Sequence, residues 1–254
     1  MSQIQKNQTD QSCFVHNNNC YLLYDGELLK GPEAGLLNRD IFQQATEYQI
    51  ITTGGRGQAW FIEIDGLSTV YRRYMRGGLI ARVNQQTYIS PSLENTRSFK
   101  EWRMLQWMRE KGLPVPRPVA ASVCRWPLRF SPFYHAQILV ERIPNVQTLD
   151  QVLSLRPLKI EEWHSIGQCI CRFHREGIYH ADLNANNILI DAESVVYLID
   201  FDRGEMRSSL QKNTQWMQDN LLRLKRSLLK QRSIHKTYYY TEESWQALVD
   251  AYEM

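Results

Sequence analysis

Two short apolar segments in the second half of the chain constrain the fold most, because polar side chains border both. The segments are Ile188–Ile190 and Val195–Ile199, and each is typical of a buried strand. The bordering residues are Asp182, Asn186, Asn187 and Asp200. An unpaired carboxylate beside a buried strand costs free energy unless a cation or a hydrogen-bond donor compensates it. We therefore expect a hairpin whose polar edge holds a positively charged partner.

The side chains at this edge indicate what that partner is. In a hairpin, Asn187 at the start of one strand lies beside Asp200 at the end of the other, and Asp182 lies in the loop just ahead. Ligand sets made only of oxygen suit a hard cation such as Mg²⁺, which usually shares its site with phosphates. Any one of these residues alone is as well explained by a turn that bonds its own backbone. The ordered set favours a site for magnesium and phosphate.

Composition and charge exclude several other classes of protein. The chain has 254 residues, of which 43% are hydrophobic, and this is enough for one large domain or two small lobes. The net charge of +3 and aromatic residues at core periodicity do not indicate a nucleic-acid partner. The five cysteines form no C-x-x-C pair, so we expect reduced thiols in a cytoplasmic compartment. We also expect no signal peptide and no spanning helix, which requires roughly 20 apolar residues.

Periodicity divides the chain into three regions and predicts the α+β class. Residues 1–44 are predicted to be a partly irregular N-terminal extension. Residues 45–143 form a predicted N-lobe of antiparallel strands with one helix. Residues 144–254 form a predicted, mainly helical C-lobe, which begins after a linker near Ile143–Val146.

Within the N-lobe, the predicted strands include Ala59–Ile64 and Ser68–Tyr74, joined by Asp65-Gly66, which is a strong hairpin signal. A third strand is predicted at Tyr48–Thr52. One helix is predicted from the apolar face formed by Phe99, Trp102, Leu105 and Met108, with Gly112 after its end. In the C-lobe, another helix is predicted from Trp163, Ile166, Ile170 and Phe173.

The polar set resembles the catalytic loop and the metal-binding aspartate of the protein-kinase-like fold, whose patterns are H-R-D-L-x-x-x-x-N and D-F-G. Here they are His180–Asn187, H-A-D-L-N-A-N-N, and Asp200-Phe201-Asp202. The resemblance implies a bilobal fold and an ATP-dependent reaction. It implies that Asp182 accepts the proton of the attacking hydroxyl, and that Asn187 and Asp200 hold Mg²⁺ on the nucleotide phosphates.

The resemblance also implies a nucleotide clamp in the N-lobe. The loop Thr53–Gly57 lies between two predicted strands, where the backbone at Gly55 and Gly57 can approach phosphate oxygens. The third glycine of the family pattern is missing, because Trp60 stands at its place. Glycines in an ordinary hairpin turn are the alternative interpretation.

The strand lysine of that clamp is also missing. Arg72 occupies its place in Val70-Tyr71-Arg72, and no lysine occurs from Gly31 to Phe99. An arginine also binds phosphate, although with a different geometry, and Glu101 on the helix would be its carboxylate partner. A solvated arginine on a basic segment is the alternative interpretation for Arg72, and Arg73 is the nearest competitor for the role.

Other departures from protein kinases concern the acceptor. Ala181 and Asn184 replace the arginine and the lysine that protein kinases carry in this loop, and no Ala-Pro-Glu follows Asp200. We therefore expect a small-molecule or lipid hydroxyl as the acceptor.

Several segments together resemble the bacterial 3-deoxy-D-manno-octulosonic acid (Kdo) kinases, in the lipopolysaccharide-kinase branch of the kinase-like fold. The most specific are H-A-D-L-N-A-N-N from His180 and I-D-F-D-R-G from Ile199. Others are Arg72–Leu79, Glu101-Trp102, Gly112–Pro116 and Glu141–Pro144. The resemblance implies transfer of the γ-phosphate of ATP to the 4-hydroxyl of Kdo on a lipid A precursor. It also implies a peripheral protein at the cytoplasmic face of the inner membrane.

Two other functions remain open at this point. One is a kinase for a heptose of the lipopolysaccharide core or another small alcohol, and the other is a non-catalytic pseudokinase scaffold. A basic segment with Leu221, Leu224 and Leu228 on one helical face has two interpretations as well. It can lie on a membrane surface, or its leucines can pack into the C-lobe.

Overall fold

The structure is a computed structural model that describes residues 3–6, 12–32, 36–37, 41, 45, 47–51, 59–75, 87–207 and 214–253. The chain forms two compact units. The first consists of Met1–Gln106 and Pro116–Arg142, and the second of Trp107–Val115 and Ile143–Met254. The boundary after Arg142 lies one residue from the predicted one. The assignment of Trp107–Val115 to the second unit was not predicted.

The first unit is built on an antiparallel sheet of nine described strands. They are β1 (Gln3–Lys6), β2 (Ser12–Asn17), β3 (Cys20–Asp25), β4 (Glu47–Ile51), β5 (Ala59–Ile64), β6 (Leu67–Arg73), β7 (Tyr88–Ile89), β8 (Pro118–Arg125) and β9 (Phe133–Glu141). The sheet order is β1-β2-β3-β8-β9-β6-β5-β4, and β7 pairs with β9. The predicted α+β class with an antiparallel sheet is therefore confirmed.

The hairpin predicted around Asp65-Gly66 is present. β5 and β6 pair from Ala59↔Arg72 to Ile64↔Leu67. Asp65 and Gly66 both have positive φ, 52° and 75°. This is the conformation that a two-residue turn needs in order to match the twist of its strands, so the local sequence alone was sufficient to predict it.

Residues 1–44, predicted to be a partly irregular extension, contain three strands of the main sheet that were not predicted. β2 and β3 form a hairpin, and β3 continues the sheet by pairing with β8 from Cys20↔Cys124 to Tyr24↔Ala120. Leu22 and Leu23 are fully or almost fully buried. The apolar run of β3 is short and its partner strand lies about 100 residues away, so its stabilisation is not visible in the local sequence.

The expectation that all five cysteines are reduced thiols is also wrong. Cys20 and Cys124 face each other on β3 and β8, with Cα atoms 4.1 Å apart, and form a disulfide. Cys13, Cys169 and Cys171 are free thiols. The two bonded cysteines are 104 residues apart in the chain, so only the strand register brings them together.

The helix predicted for the N-lobe is α1 (Arg97–Glu110), whose residues up to Gln106 belong to the first unit. Its apolar face is buried as expected, with Phe99, Trp102, Leu105 and Met108 at 1% exposure or less. Gly112 follows it with φ 69°, and its N–H donates to the carbonyl of Arg109. A glycine at this position ends a helix because it adopts a left-handed conformation at little cost.

The second unit is mainly helical. Its helices are α2 (Leu149–Leu155), α3 (Ile160–Arg175), α4 (Gln215–Ile234) and α5 (Glu242–Glu253). Its strands are β10 (Gln147–Thr148), β11 (Ile178–Tyr179), β12 (Ile188–Ile190), β13 (Val196–Leu198) and β14 (Glu205–Met206). β10, β12 and β13 form one small sheet, and β11 pairs with β14.

The basic helix α4 uses its leucines for packing. Leu221, Leu224 and Leu228 are all buried in the described structure. Of the two interpretations of this segment, packing into the C-terminal unit is confirmed, and these leucines are not available to a membrane. Among the described residues, no helix combines the length and apolar content needed to cross a bilayer.

α3 and α5 approach each other closely at Gly167. A Cβ added there would lie 2.2 Å from the carbonyl oxygen of Leu248 and 3.1 Å from the backbone nitrogen of Tyr252. These contacts are with backbone atoms of another helix, which cannot move away as a flexible side chain can.

We expect Gly167→Ala to destabilise the protein. Replacing glycine by alanine inside a helix ordinarily gains up to about 1 kcal/mol, but overpacking against a fixed backbone costs about 1–3 kcal/mol. Urea denaturation should therefore show a lower free energy of unfolding. Gln168→Ala, at an exposed position of the same helix, is the control and should change it by less than about 0.5 kcal/mol. A stabilising Gly167→Ala would contradict the close helix contact.

Candidate active site

The register of the β12–β13 hairpin places Asn187, just before β12, next to the segment just after β13 that contains Asp200. Ile188 pairs with Leu198, and one step further the N–H of Ile199 donates to the carbonyl of Asn187 at 3.1 Å. Asp200 follows immediately with φ 64°. A left-handed conformation at a residue other than glycine costs on the order of 1 kcal/mol or more, and such residues concentrate at functional sites. The adjacency predicted for Asn187 and Asp200 is present.

Hydrogen bonds orient the amide of Asn187. Its Nδ2 donates to the carbonyl oxygen of Asp182 at 2.9 Å, and Nδ2 of Asn184 donates to the same oxygen at 3.0 Å. The Asn187 side chain is buried. Because the amide nitrogen is used in this way, Oδ1 is the atom that remains to ligate a cation. The loop therefore presents an oxygen rather than a nitrogen at this position.

Asp182 has the exposure that a proton acceptor needs. The residue is exposed, and its carboxylate makes no hydrogen bond or ion pair with the other residues that the structure describes. Its backbone N–H donates to Nδ1 of His180 at 3.1 Å, which holds the start of the loop. The loop is therefore fixed through its backbone, while the carboxylate is left available to a substrate.

His180 connects this loop to the strand that carries Asp200. Because Nδ1 accepts a hydrogen bond from Asp182, the proton is on Nε2, which donates to the carbonyl of Ile199 at 2.9 Å. Burial lowers the pKa of His180, and this outweighs the opposing effects of the Ile199 carbonyl and of the Asp200 and Asp182 charges. The imidazole is therefore a neutral link between these two segments.

Phe201 packs this link against the helices. Its ring lies 4.7 Å from the His180 ring and stacks on Phe173 of α3 at 5.7 Å between centroids. The three side chains are buried. The apolar contact fixes the backbone on both sides of Asp200, because His180 holds the residue before it and Phe201 is the residue after it.

Asn220 and Ser227 of α4 hold the same loop, and sequence analysis missed both. Oδ1 of Asn220 accepts from the N–H of His180 at 3.1 Å, and its Nδ2 donates to the His180 carbonyl at 2.9 Å. Oγ of Ser227 accepts from the N–H of Ala185 at 3.2 Å. Asn220 lies in the buried stripe of Trp216 and Leu224. A polar residue within an apolar stripe is the signal that could have indicated its role.

The donor set of the second unit fits a magnesium ion that is shared with phosphates. Within the described ranges, no group of three His, Cys, Asp or Glu side chains is arranged to hold a metal. Asn187 and Asp200 provide one amide oxygen and one carboxylate, and Mg²⁺ commonly takes only one or two carboxylates and completes its shell with water and phosphate oxygens. A two-residue site is therefore sufficient for Mg²⁺ but not for a protein-enclosed structural metal.

In the first unit, Arg72 and Glu101 form the ion pair that the sequence suggested. Nη2 of Arg72 bonds Oε1 of Glu101, and the hydroxyl of Tyr74 donates to Oε2 of the same carboxylate. Glu101 is buried, and 22% of the Arg72 side chain is exposed. Arg73 differs, because its Nε donates to the hydroxyl of Tyr71 at 2.9 Å. Arg72 is thus paired with the helix carboxylate.

The remaining predicted residues of the clamp lie outside the described residues. These are Gly55 and Gly57. Their proposed contacts with nucleotide phosphates stay predictions.

His174 on α3 extends the hydrogen-bond network around Asn220. Its Nε2 lies 3.3 Å from Oδ1 of Asn220, and its Nδ1 lies 2.8 Å from the hydroxyl of Tyr252. Burial lowers the pKa of His174 to about 4, which outweighs the opposing effect of the hydrogen bond that Nε2 donates to Oδ1 of Asn220. A second neutral, buried imidazole thus supports the residue that holds the catalytic loop.

Comparison with known proteins gives one family and a consistent group of relatives. The model of the lipopolysaccharide kinase (Kdo/WaaP) family matches residues 42–252. A protein of Stenotrophomonas maltophilia (strain K279a), named 3-deoxy-D-manno-octulosonic acid kinase, is 41% identical over 92% of this chain and 89% of its own. A protein of the same name from Vibrio vulnificus (strain YJ016) is 38% identical over 91% of this chain and 94% of its own. Another, from Xanthomonas campestris pv. campestris (strain B100), is 40% identical over 92% of this chain and 89% of its own.

The neutral state of His174 predicts how stability depends on pH. Below about pH 6.5 the unfolded chain binds a proton on this histidine, but the folded chain does so only near pH 4. The free energy of unfolding should therefore fall by about 2 kcal/mol between about pH 7 and about pH 5 through this residue. Urea denaturation at the two pH values measures it.

His174→Gln should reduce this pH dependence by that amount. His164→Gln, on the same helix, keeps the imidazole of His174 and is the control. An unchanged pH dependence in His174→Gln would show that this imidazole is not kept neutral by burial.

Proposed function

Because the chain belongs to the lipopolysaccharide kinase (Kdo/WaaP) family, we propose that it transfers the γ-phosphate of ATP to the 4-hydroxyl of Kdo on a Kdo–lipid A precursor. The chain has the protein-kinase-like fold of that family and is a phosphotransferase. The observation that carries the proposal is the exposed carboxylate of Asp182 beside the paired edge of Asn187 and Asp200. The identity of the acceptor sugar in this proposal is taken from the names of the relatives.

In the proposed reaction, the oxygen of the acceptor hydroxyl attacks the γ-phosphorus of ATP while Asp182 takes the hydroxyl proton. The bond between this phosphorus and the bridging oxygen of the β-phosphate breaks, and ADP leaves. Asn187, through Oδ1, and Asp200 would hold Mg²⁺. The ion, when bound, neutralises charge on the phosphate oxygens. His180 keeps Asp182 and Asp200 at a fixed spacing through its bonds to the backbone on both sides. The residues thus contribute mainly position and charge, which is what phosphoryl transfer requires.

We propose that Arg72 binds a phosphate oxygen of the nucleotide in place of the family lysine. Its guanidinium has five donors, so it can keep its bond to Glu101 while the exposed part contacts phosphate. Tyr74 supports this by holding the second oxygen of Glu101. Gly55 and Gly57 are proposed to bring their backbone N–H groups to the phosphates.

A kinase for a heptose or another small alcohol is the second candidate within the enzyme class, and acceptor screening separates it from a Kdo kinase. The pseudokinase scaffold was motivated by the missing lysine. The retained Asp182, Asn187 and Asp200 argue against it, since a chain without catalysis need not keep an exposed acid beside two potential metal ligands.

We expect Asp182→Ala to reduce kcat by roughly 10²–10⁴-fold, because only the proton-accepting group is lost. Binding of Mg-ATP, measured by calorimetry, should change little. Asp200→Ala should instead weaken Mg-ATP binding and abolish turnover. Mass spectrometry of the phosphorylated Kdo–lipid product is the activity measurement.

The matched control is Glu193→Ala, which removes an exposed carboxylate from the turn between β12 and β13 and should leave kcat unchanged. Full activity in Asp182→Ala would contradict the role of this residue. The absence of any product from the wild-type protein would contradict the choice of acceptor.

We further propose that the chain acts as a peripheral protein at the cytoplasmic face of the bacterial inner membrane. The supporting surface is the aromatic turn, residues 126–133 between β8 and β9, with the neighbouring Ile89 of β7. Its exposed apolar side chains are Trp126 (57%), Leu128 (71%), Phe130 (90%), Phe133 (41%) and Ile89 (61%). Ile89 and Phe133 are cross-strand partners, so these two side chains are neighbours. Aromatic and apolar side chains grouped in this way are typical of membrane or protein contacts.

The charges around the aromatic turn favour an anionic lipid surface as its partner. No Asp or Glu occurs from Lys111 to Val140. Arg129 is exposed, with its guanidinium 5.7 Å from the Phe130 ring. Arg125 is buried and donates to the carbonyls of Ser90 at 3.0 Å and Pro91 at 3.1 Å. The turn is thus fixed from within while it exposes apolar groups and one cation.

We expect the double substitution Leu128→Ser and Phe130→Ser to weaken binding to vesicles that contain phosphatidylglycerol by roughly tenfold or more, since each burial contributes on the order of 1 kcal/mol or more. Co-sedimentation of the full chain measures it. Leu222→Ser with Leu229→Ser removes two exposed leucines from the basic helix instead and should have little effect.

If the Leu222→Ser and Leu229→Ser variant lost vesicle binding and the Leu128→Ser and Phe130→Ser variant kept it, the membrane contact would lie on α4 and not on the aromatic turn. Phosphorylation of an acceptor dispersed in detergent should be normal in both double variants. Lost activity there would indicate damage to the fold instead of to membrane binding.

A further inference from the structure

Helix α4 lies along the catalytic loop and contacts it at two points that are seven residues apart. Asn220 bonds the backbone of His180, and Ser227 bonds the backbone of Ala185. Seven residues are about two helical turns, so these two side chains lie on the same face of the helix. Arg223 is three residues after Asn220 and four before Ser227, so it lies on that face between them. It is therefore placed opposite the loop segment that contains Asp182.

Electrostatics support this placement independently. After burial and the effects of Ile199, Asp200 and Asp182, the charge of Arg223 is among the causes that act on the pKa of His180, and it lowers that pKa. The positive charge therefore acts on the imidazole whose Nδ1 accepts a hydrogen bond from the N–H of Asp182. The charged groups that act on this imidazole are thus two carboxylates and one guanidinium.

Arg223 is half-buried in the structure. The structure gives it no hydrogen bond and no ion pair with a described residue. Lys225, two residues further on, differs because it forms an ion pair with Glu242. A guanidinium that is partly removed from water beside the catalytic loop has a strong preference for an oxyanion, which it can bind with two parallel hydrogen bonds.

We propose that Arg223 forms the subsite for the carboxylate of the acceptor sugar acid, and that this contact selects the hydroxyl presented to Asp182. The inference rests on the proposed function, because it takes a sugar acid as the acceptor. A sugar acid carries its carboxylate and its hydroxyls on one ring. Once the carboxylate is held at a fixed point, the ring has few ways to place a hydroxyl at Asp182. The same contact excludes neutral sugars, which leave the guanidinium without its partner.

Steady-state kinetics of the full chain with Mg-ATP and a Kdo–lipid acceptor test this role. We expect Arg223→Gln to raise KM for the acceptor by roughly 10–100-fold, as for the loss of a hydrogen bond between charged groups. KM for ATP should stay within roughly twofold, because the nucleotide does not use this residue. Arg223→Lys keeps the charge but loses the paired donors. Its KM for the acceptor should therefore lie between those of the wild type and Arg223→Gln. Arg226→Gln, on an exposed position of the same helix, is the matched control and should behave as wild type.

A second arm uses an acceptor whose carboxylate is converted to its methyl ester. For the wild-type enzyme, KM should be the same 10–100-fold higher for this ester than for the free acid. For Arg223→Gln, KM should be almost the same for both acceptors. This coupling between side chain and substrate group is not expected of a residue that only stabilises the fold. Equal sensitivity of both proteins to esterification would overturn the proposal. A raised KM for ATP with an unchanged KM for the acceptor would assign Arg223 to the nucleotide phosphates instead.

Binding of free Kdo, followed by NMR line broadening, separates this inference from the proposed function. If the wild-type protein binds the sugar but forms no phosphorylated product, the proposed reaction is contradicted. The subsite can still be tested by the binding measurement. Binding that is weakened in Arg223→Gln but not in Arg226→Gln would support the subsite. Binding that is equal in all three proteins, or absent from the wild type, would overturn it.

Discussion

A neutral, buried imidazole is the interaction on which the candidate site depends. His180 accepts from the backbone of Asp182 through Nδ1 and donates to the carbonyl of Ile199 through Nε2, so it needs one tautomer and no charge. Burial provides that state by lowering its pKa. The spacing between the acid of the loop and the acid after β13 is thus set by two hydrogen bonds from one ring, and Phe201 packs that ring against α3.

Helix α4 makes this arrangement rigid from the other side. Asn220 pairs with both backbone groups of His180, and Ser227 holds Ala185. The helix therefore contributes more than its buried leucines, since it fixes the loop at two points and places Arg223 between them. The helix face that supports the loop is thus also the face on which Arg223 lies, the residue proposed to bind the acceptor.

The two units differ in how a carboxylate near apolar strands is stabilised. In the first, Arg72 and Tyr74 saturate the buried carboxylate of Glu101 within the protein. In the second, the carboxylate of Asp182 stays exposed without a hydrogen bond to another described residue. The contrast separates a structural pair from a group that is kept available for chemistry. The several donors of the Arg72 guanidinium are consistent with the proposal that it binds phosphate while it keeps its contact with Glu101.

By itself the sequence determined the hairpin with Asn187 and Asp200, the Asp65-Gly66 turn and the apolar face of α1. Each depends on residues that are close along the chain, so periodicity and turn residues were enough. Tertiary structure alone decided the pairing of β3 with β8, the Cys20–Cys124 disulfide, and the bonds of Asn220 to His180 across 40 residues. These contacts join segments whose own patterns are weak or ambiguous. Their partners are chosen by the packing of the whole unit, because burial and strand register act between residues that no local pattern relates.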